Sequence, residues 1–320
     1  MQQDRIPLGT AFMLGFCATA PLIDVCSKLA AQSLPVGEIT LARFAVQAAL
    51  MVPIVLAMGQ SFRLRGRALK LTVMRALVSI VSTYCFIAAV REMPIADALA
   101  IVFVEPFIIL GLGWLMFGEQ VGPRRIAASG VGFCGALLVI QPSFAEFGAV
   151  ALFPLGTAVG FALYILITRR LSPLQHPVEM QFHTALTAVL LWAPVLWFTS
   201  DLGLPDLTLL RPEGIAWGWL FGVGAAATFS HMLMSFGLRL APAATLAPLH
   251  YLEIVSSATL GYLVFGNFPN ALTWAGIGVI VASGLYIIHR ERVVARHPAP
   301  VPEPRLPTRL PAAAPASAAP

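Results

Sequence analysis

Residues 94–118 read PIADALAIVFVEPFIILGLGWLMFG, and residues 242–266 read PAATLAPLHYLEIVSSATLGYLVFG. Each is a long apolar segment with one glutamate near its middle, Glu105 in the first and Glu253 in the second. Proline to glutamate is eleven residues in both, and glutamate to the closing glycine is thirteen in both. The match extends outward. Residues 91–140 align with 239–288 at an offset of 148 without a gap, and more than a quarter of the pairs are identical. Those pairs include Arg91/Arg239, Pro94/Pro242, Gly113/Gly261, Phe117/Phe265 and Gly118/Gly266. An ionisable group in hydrocarbon is expensive, so one near mid-depth marks a functional site by default. Two at equivalent repeat positions point to a site built between the repeats.

The composition places these segments in a membrane. Apolar residues make up 58% of the 320 and charged residues 11%, with a mean hydropathy of +0.83. A soluble domain carries roughly 25% charged residues. A helix needs about 20 apolar residues to span a bilayer. Stretches of that kind are read at approximately 8–30, 37–58, 70–90, 95–117, 124–140, 148–168, 178–199, 214–238, 243–265 and 271–288. The fifth is short, and its Gly130, Gly132 and Gly135 suit close packing against neighbours. Ala18-Thr-Ala20 has the look of a signal-peptide cleavage site. Against cleavage, Pro7-Leu-Gly-Thr-Ala11 recurs as Pro154-Leu-Gly-Thr-Ala158, and a segment repeated inside the fold is expected to be retained.

The net charge of +5 does not imply nucleic acid. With the N-terminus inside, fifteen Lys and Arg residues, from Arg5 to Arg309, fall in cytoplasmic segments, and only Arg91 and Arg211 fall opposite. This positive-inside bias places both termini in the cytoplasm and requires an even number of spans. The reading is an all-α membrane protein: ten transmembrane helices in two inverted five-helix repeats, residues 1–145 and 146–290. An odd number of helices per half makes the repeats inverted, a plan that puts a midplane site at the repeat interface. Residues 291–320 are Pro- and Ala-rich and read as a disordered cytoplasmic tail. Cys17, Cys26, Cys85 and Cys134 lack metal-type spacing and read as small packing residues.

Several polar and aromatic residues inside the spans are candidates for chemistry. Pro106 lacks an N–H, so the Val102 carbonyl loses its helix partner, and Pro248 does the same to Ala244. Freed carbonyls beside a carboxylate make a polar pocket where such groups must be satisfied internally. His250 lies three residues before Glu253, about 60° round a helix, and shares a broad face with it. Asp24 and Lys28 are spaced as a local pair in the first helix. Arg43, inside the second helix, needs a partner, with Asp24 or Glu38 as candidates. His183 and His231 are lone histidines, and such residues are usually satisfied in the core. Phe103, Tyr251, Trp114, Tyr262 and Tyr84 are placed to stack a flat solute, although membrane aromatics more often pack or belt the interface. The candidate substrate-binding residues are Glu105, Glu253, His250, Tyr251, Phe103, Tyr84 and His231. No GxxxxGK[ST] loop, HExxH pair or GxSxG elbow occurs, and no cofactor or metal site is expected.

Over residues 8–290 the chain resembles the EamA type of the drug/metabolite transporter superfamily. The resemblance rests on Glu38-Ile-Thr-Leu-Ala-Arg43-Phe44, Glu105-Pro106, Phe117-Gly118-Glu119, and Leu252-Glu253 with Leu260-Gly261-Tyr262-Leu263-Val264-Phe265-Gly266. It implies a secondary carrier, not an enzyme, with a central cavity lined from both halves, in the inner membrane. Proteins of this type move amino acids, S-adenosylmethionine, riboflavin, nucleosides and drugs. The expected partners are a small organic solute, membrane lipid and protons as a coupling ion, in a monomer or homodimer. The chain departs from the family at Gly266-Asn267, where an acid often follows the glycine. The alternative reading is an integral-membrane enzyme acting on a lipid or isoprenoid.

Overall fold

The computed structural model describes residues 5–60, 63–93, 95–118, 122–140, 148–265 and 271–296. Glu119, Gly266-Asn267 and the tail beyond 296 lie outside them, while residues 291–296, expected to begin a disordered tail, continue the last helix as far as Arg296. The described residues are α-helices and short 3₁₀ turns, with no strand among them. In order they are α1 (Ile6–Thr19), α2 (Pro21–Ala30), α3 (Val36–Ala57), α4 (Gly66–Glu92), α5 (Ile95–Val102), α6 (Glu105–Phe117) and α7 (Pro123–Ile140). Then follow α8 (Leu152–Leu171), α9 (Pro177–Thr199), α10 (Ala216–Leu240), α11 (Ala243–Leu246), a 3₁₀ segment Ala247–Leu252, α12 (Glu253–Phe265) and α13 (Ala271–Arg296). Among the described residues six stretches are long and apolar enough to cross a membrane: Ile6–Ala30, Val36–Ala57, Gly66–Glu92, Gly148–Leu171, Pro177–Leu202 and Ala216–Leu240. Large apolar side chains such as Leu115, Leu190, Trp197, Phe198 and Leu263 are exposed on the outside. A surface of that kind belongs against lipid rather than water.

Proline and glycine set the helix ends. Pro35 holds an extended backbone and starts α3 cleanly. Gly118 adopts φ +63° and closes α6 with its N–H on the Trp114 and Gly113 carbonyls, a left-handed stop that only glycine adopts without strain. Met93 and Ala241 are both extended, and each precedes a proline, which disfavours a helical residue before it.

The two glutamate segments are not the continuous helices expected from sequence. Both are interrupted, and each glutamate is the first residue of the helix after the break. Pro106 therefore lies in the first turn of α6, where its missing N–H costs nothing. Pro248 likewise opens the 3₁₀ segment. A third helix is kinked beside them, at Ala20, where Pro21 cannot donate to the Cys17 carbonyl.

The backbone carbonyls released at these irregularities are satisfied by side chains sent across from the neighbouring ones. The Phe107 N–H turns to the Val104 carbonyl at 3.1 Å, which leaves the Phe103 carbonyl without its α-helical donor. The Tyr251 hydroxyl donates to that carbonyl at 3.1 Å. The Ser256 hydroxyl donates to the freed Cys17 carbonyl, and the Cys17 thiol donates to the Leu249 carbonyl at 3.4 Å. Away from water an unpaired backbone group costs several kcal/mol, so this exchange stabilises three adjacent irregularities together.

Packing is close where glycines face neighbours. A Cβ on Gly132 would lie 2.5 Å from the Tyr251 ring, and one on Gly135 would lie 2.8 Å from Ile280. Gly130 meets nothing within 4 Å, so only two of the three glycines expected to pack closely do so. Gly224 of α10 sits directly on Val46 of α3. Cys26 and Cys85 fill the spaces above Gly222 and Gly156, while Cys134 is exposed. The largest buried cluster includes Met13, Phe16, Ile109, Ile165, Met234 and Leu246, and it draws on α1, α6, α8, α10 and α11.

Candidate functional site

A cavity of about 780 Å³, counting its open mouth, lies among these broken helices. Its lining runs from the middles of the helices toward the ends at residues 30, 36, 92 and 152. Three carboxylates face it: Asp24, Glu105 and Glu253. Arg43, His231 and Tyr164 face it from other helices, and the apolar rings of Phe16, Phe86, Phe103 and Phe161 line it as well.

The two glutamates are held differently. Glu105 is 2% exposed, and its carboxylate oxygens lie 3.2 and 3.4 Å from Nδ1 of His250. His250 thus bridges the two breaks, reaching from the 3₁₀ segment to the start of α6. It serves Glu105, not Glu253 as the helical spacing implied, because the segment before Glu253 is not α-helical. Both glutamates sit in the first turn of a helix, where the positive end of the helix dipole favours a carboxylate. Glu253 is partly exposed, and among the described residues no hydrogen bond reaches its carboxylate. The Asp24 carboxylate also lines the cavity, and its buried Oδ2 has no hydrogen-bond partner. The expected Asp24–Lys28 pair is not formed.

The cationic wall begins at Arg43. Its partners are neither Asp24 nor Glu38: it donates to Thr83 Oγ1 at 2.6 Å and approaches His231 Nε2 at 3.1 Å. Glu38 instead accepts from the Leu210 N–H at 2.9 Å. His231 Nδ1 lies 3.1 Å from the Tyr164 hydroxyl, and Arg75 donates to the same hydroxyl at 2.5 Å. Arg75 is fully buried. It also donates to Thr168 Oγ1, Thr184 Oγ1 and the Met180 carbonyl, and its guanidinium stacks 4.1 Å over the Tyr164 ring. Among the described residues neither Arg43 nor Arg75 has a carboxylate within ion-pair distance. Gln181 fixes this wall by donating to the His231 carbonyl and to Ser235 Oγ, both at 2.7 Å.

Of the residues singled out from sequence, Glu105, Glu253, Phe103 and His231 line the cavity together. Tyr251 and His250 stand behind it, buried in the joint between the breaks. Tyr84 does not line it and packs edge-on against Trp192 at 5.8 Å. Trp114 and Tyr262 point outward, 64% and 43% exposed. His183 is buried near Gln175, away from the cavity. Sequence reading passed over Arg75, Tyr164, Phe16 and Phe161. Arg75 carried a readable signal. Only Lys28, Arg43 and Arg75 remain once loop cations are set aside, and a cation inside a span merits the weight given to the glutamates.

The EamA-like transporter family matches the chain twice, at residues 7–141 and 148–289. A riboflavin transporter of Brucella anthropi is 25% identical over 89% of this chain and 99% of its own length. An S-adenosylmethionine uptake transporter of Rickettsia prowazekii is 24% identical over 89% of this chain and 93% of its own. A pseudopaline exporter of Pseudomonas aeruginosa is 26% identical over 91% and 99%. One solved crystal structure shares the fold at a TM-score of 0.72 and 18% identity, covering 89% of this chain and 98% of that one. These relatives are carriers, and nothing among them supports the lipid-enzyme alternative. The chain is a multi-pass membrane protein that belongs to the EamA-like transporter family.

Proposed function

We propose that the protein is a secondary transporter of a small organic metabolite, working by alternating access in the inner membrane. The substrate class is a heterocyclic cofactor or vitamin, such as riboflavin or S-adenosylmethionine, or an amino acid. The observation that carries this reading is the cavity itself. It is built at helix breaks, and it is lined by charges of both signs and by aromatic rings, the mix of a few polar groups on an apolar wall that small-molecule sites use.

The architecture we propose is ten spans in two inverted halves, residues 1–145 and 146–290, with both termini and the 291–320 tail cytoplasmic. The two family matches support it, and so does the packing. Counting spans in chain order, the third packs on the sixth as the eighth packs on the first. The second packs on the eighth as the seventh on the third, and the fourth on the sixth as the ninth on the first. The second with the seventh and the fifth with the tenth pair across the axis. Exchanging halves leaves this set unchanged, as an inverted repeat requires. Rocking of one half on the other would then expose the cavity to each side in turn. Glu105 and Glu253 supply charge for the solute or for a coupled proton, alongside Phe103 and His231, while His250 and Tyr251 hold the joint behind them. Tyr84 is left out of the site.

The test is transport by the purified full chain in proteoliposomes. Labelled riboflavin, S-adenosylmethionine and a set of amino acids are offered, with and without a proton gradient. Saturable uptake of one of them, competed by its unlabelled form, is expected. Fluxes equal to those of empty vesicles for the whole set would overturn the metabolite assignment.

A further inference from the structure

The hydrogen-bond inventory along the cationic wall fixes where protons point. Arginine only donates, so His231 Nε2, facing Arg43, must accept. A neutral imidazole with an accepting Nε2 carries its proton on Nδ1. That proton points at the Tyr164 oxygen 3.1 Å away. The same oxygen already accepts from Arg75. Both acceptor positions of the phenol are then filled, and its own O–H remains to be donated. Tyr164 lines the cavity, and no acceptor among the described residues takes that proton. Arg43 uses two of its five N–H groups, on Thr83 and His231, and it also lines the cavity. Two guanidiniums, one lining the cavity and one behind Tyr164, lie within hydrocarbon without a carboxylate on either. Such a charge is costly unless an anion completes it.

We infer that Arg43 and the Tyr164 hydroxyl form a carboxylate subsite. This deepens the carrier reading above and rests on it. Asp24 and Glu253 supply the opposite pole. Both line the same cavity, neither is paired with Arg43, and Asp24 Oδ2 has no partner. Glu105 is already engaged by His250. The phenylalanine rings at 16, 103 and 161 line the same cavity, and Phe161 stacks on the Tyr164 ring at 5.9 Å. The site therefore selects an amphoteric solute, with its anionic end on Arg43 and Tyr164, its cationic end at Asp24 and Glu253, and an apolar or aromatic body between. A neutral heterocycle would leave both poles unsatisfied.

The experiment is binding to the full-length protein in detergent, read by calorimetry and by thermal shift, with two matched series and one neutral probe. The first series is S-adenosylmethionine, its decarboxylated form and methylthioadenosine. The second is L-tryptophan, tryptamine and indole-3-propionate. Riboflavin is the neutral probe. In at least one series the amphoteric member should bind, and removing its carboxylate should weaken binding at least tenfold. Arg43→Gln and Tyr164→Phe should reduce that difference to less than threefold, while Asp24→Asn should reduce the difference made by the amine. Arg43→Lys keeps the charge and should retain part of the discrimination, which covers the case of a poorly folded Arg43→Gln. Equal binding with and without the carboxylate, or survival of the discrimination in Arg43→Gln, would overturn the subsite. So would binding of riboflavin in preference to every amphoteric probe, although that result would leave the carrier reading standing. Failure of every probe to bind overturns the subsite too, and the proteoliposome assay then judges the carrier reading separately.

Discussion

Glu105 and Glu253 occupy equivalent places in sequence, each eleven residues after a proline and each opening a helix after a break. Their surroundings differ. The break before Glu105 spans only Phe103 and Val104, whereas the break before Glu253 is a six-residue 3₁₀ segment, Ala247–Leu252. That longer segment carries His250 and Tyr251, and both side chains cross to the other break. The first break has no such residues to send back: Val102 and Phe103 stand where His250 and Tyr251 stand in the second. The backbone pattern is shared between the halves, while the side-chain chemistry flows one way. As a result Glu105 is buried and bound, and Glu253 is partly open and unbound.

The comparison is tested most strongly by neutralising each acid in turn. Glu253→Gln removes a charge free to meet the solute or a proton. A hydrogen bond to a charged group contributes about 1.5–3 kcal/mol, so transport should fall by about 10- to 100-fold. The thermal melt should stay at the wild-type temperature. Glu105→Gln strips the charge from a buried pair. A hydrogen bond to a charged group contributes about 1.5–3 kcal/mol, and here it ties two buried breaks together, so a clear loss of melting temperature should accompany its loss of transport. Measuring proteoliposome flux and thermal melts on both variants separates the roles. Equal melts with equal loss of flux would mean that the two acids are functionally alike.

The joint between the breaks is the next target. Tyr251→Phe leaves the Phe103 carbonyl without its donor and should destabilise by about 1–3 kcal/mol. Gly132→Ala places a methyl against the Tyr251 ring, where overpacking costs about 1–3 kcal/mol. The double variant should be destabilised by less than the sum, since a ring displaced by the new methyl has already lost part of its bond to the Phe103 carbonyl. Strict additivity in chemical or thermal unfolding would show that Gly132 and Tyr251 act independently.

The gapless repeat made both the apolar spans and the special status of the two glutamates readable in sequence. Their breaks were not, because a proline such as Pro106 or Pro248 reads equally as a kink inside one helix or as the first turn of a new one. Which occurs depends on whether a distant group accepts the job of satisfying the freed carbonyls, and Tyr251, Ser256 and Cys17 do so from other helices. Helical spacing joins His250 to the wrong acid for the same reason, since the segment that carries it is not α-helical. That Arg43 needs a partner inside the membrane is legible in sequence, and charge alone points to an acid. Its neutral partners Thr83 and His231 lie forty residues away or more, and nothing local predicts them.

Outside the breaks, smaller effects are expected. Arg91 pairs with Asp206 and Glu92 at a partly exposed position. An exposed ion pair contributes about 0–1 kcal/mol and is screened by salt. Arg91→Ala should therefore change the melting temperature little, and less still in high salt. A loss of transport in that variant, with its melt unchanged, would extend the functional region beyond the two glutamates.

The smallest effect concerns acid, and it guards the interpretation of the largest. His176 caps α9, with Nδ1 accepting from the Val178 N–H at 3.4 Å while the Glu179 side chain accepts from the His176 N–H. Partial burial pushes the His176 imidazole below its ordinary value, with the Arg239 charge adding to the shift and Glu179 opposing it. Between the lowered folded value and the ordinary 6.5 the unfolded chain binds more protons. The cap's contribution is therefore fully present above about pH 6.5 and is lost as pH falls through the folded value. The group is largely solvated, so the effect should stay below about 1 kcal/mol. His176→Asn keeps an accepting cap without a titrating one, and should flatten this slope in thermal melts taken across that pH range. If Glu105 and Glu253 carry the pH dependence of transport, the flux profile should be unchanged in His176→Asn. A flux profile that moves with the cap would mean that acid acts on α9, and the difference between the two glutamates could no longer be read from pH alone.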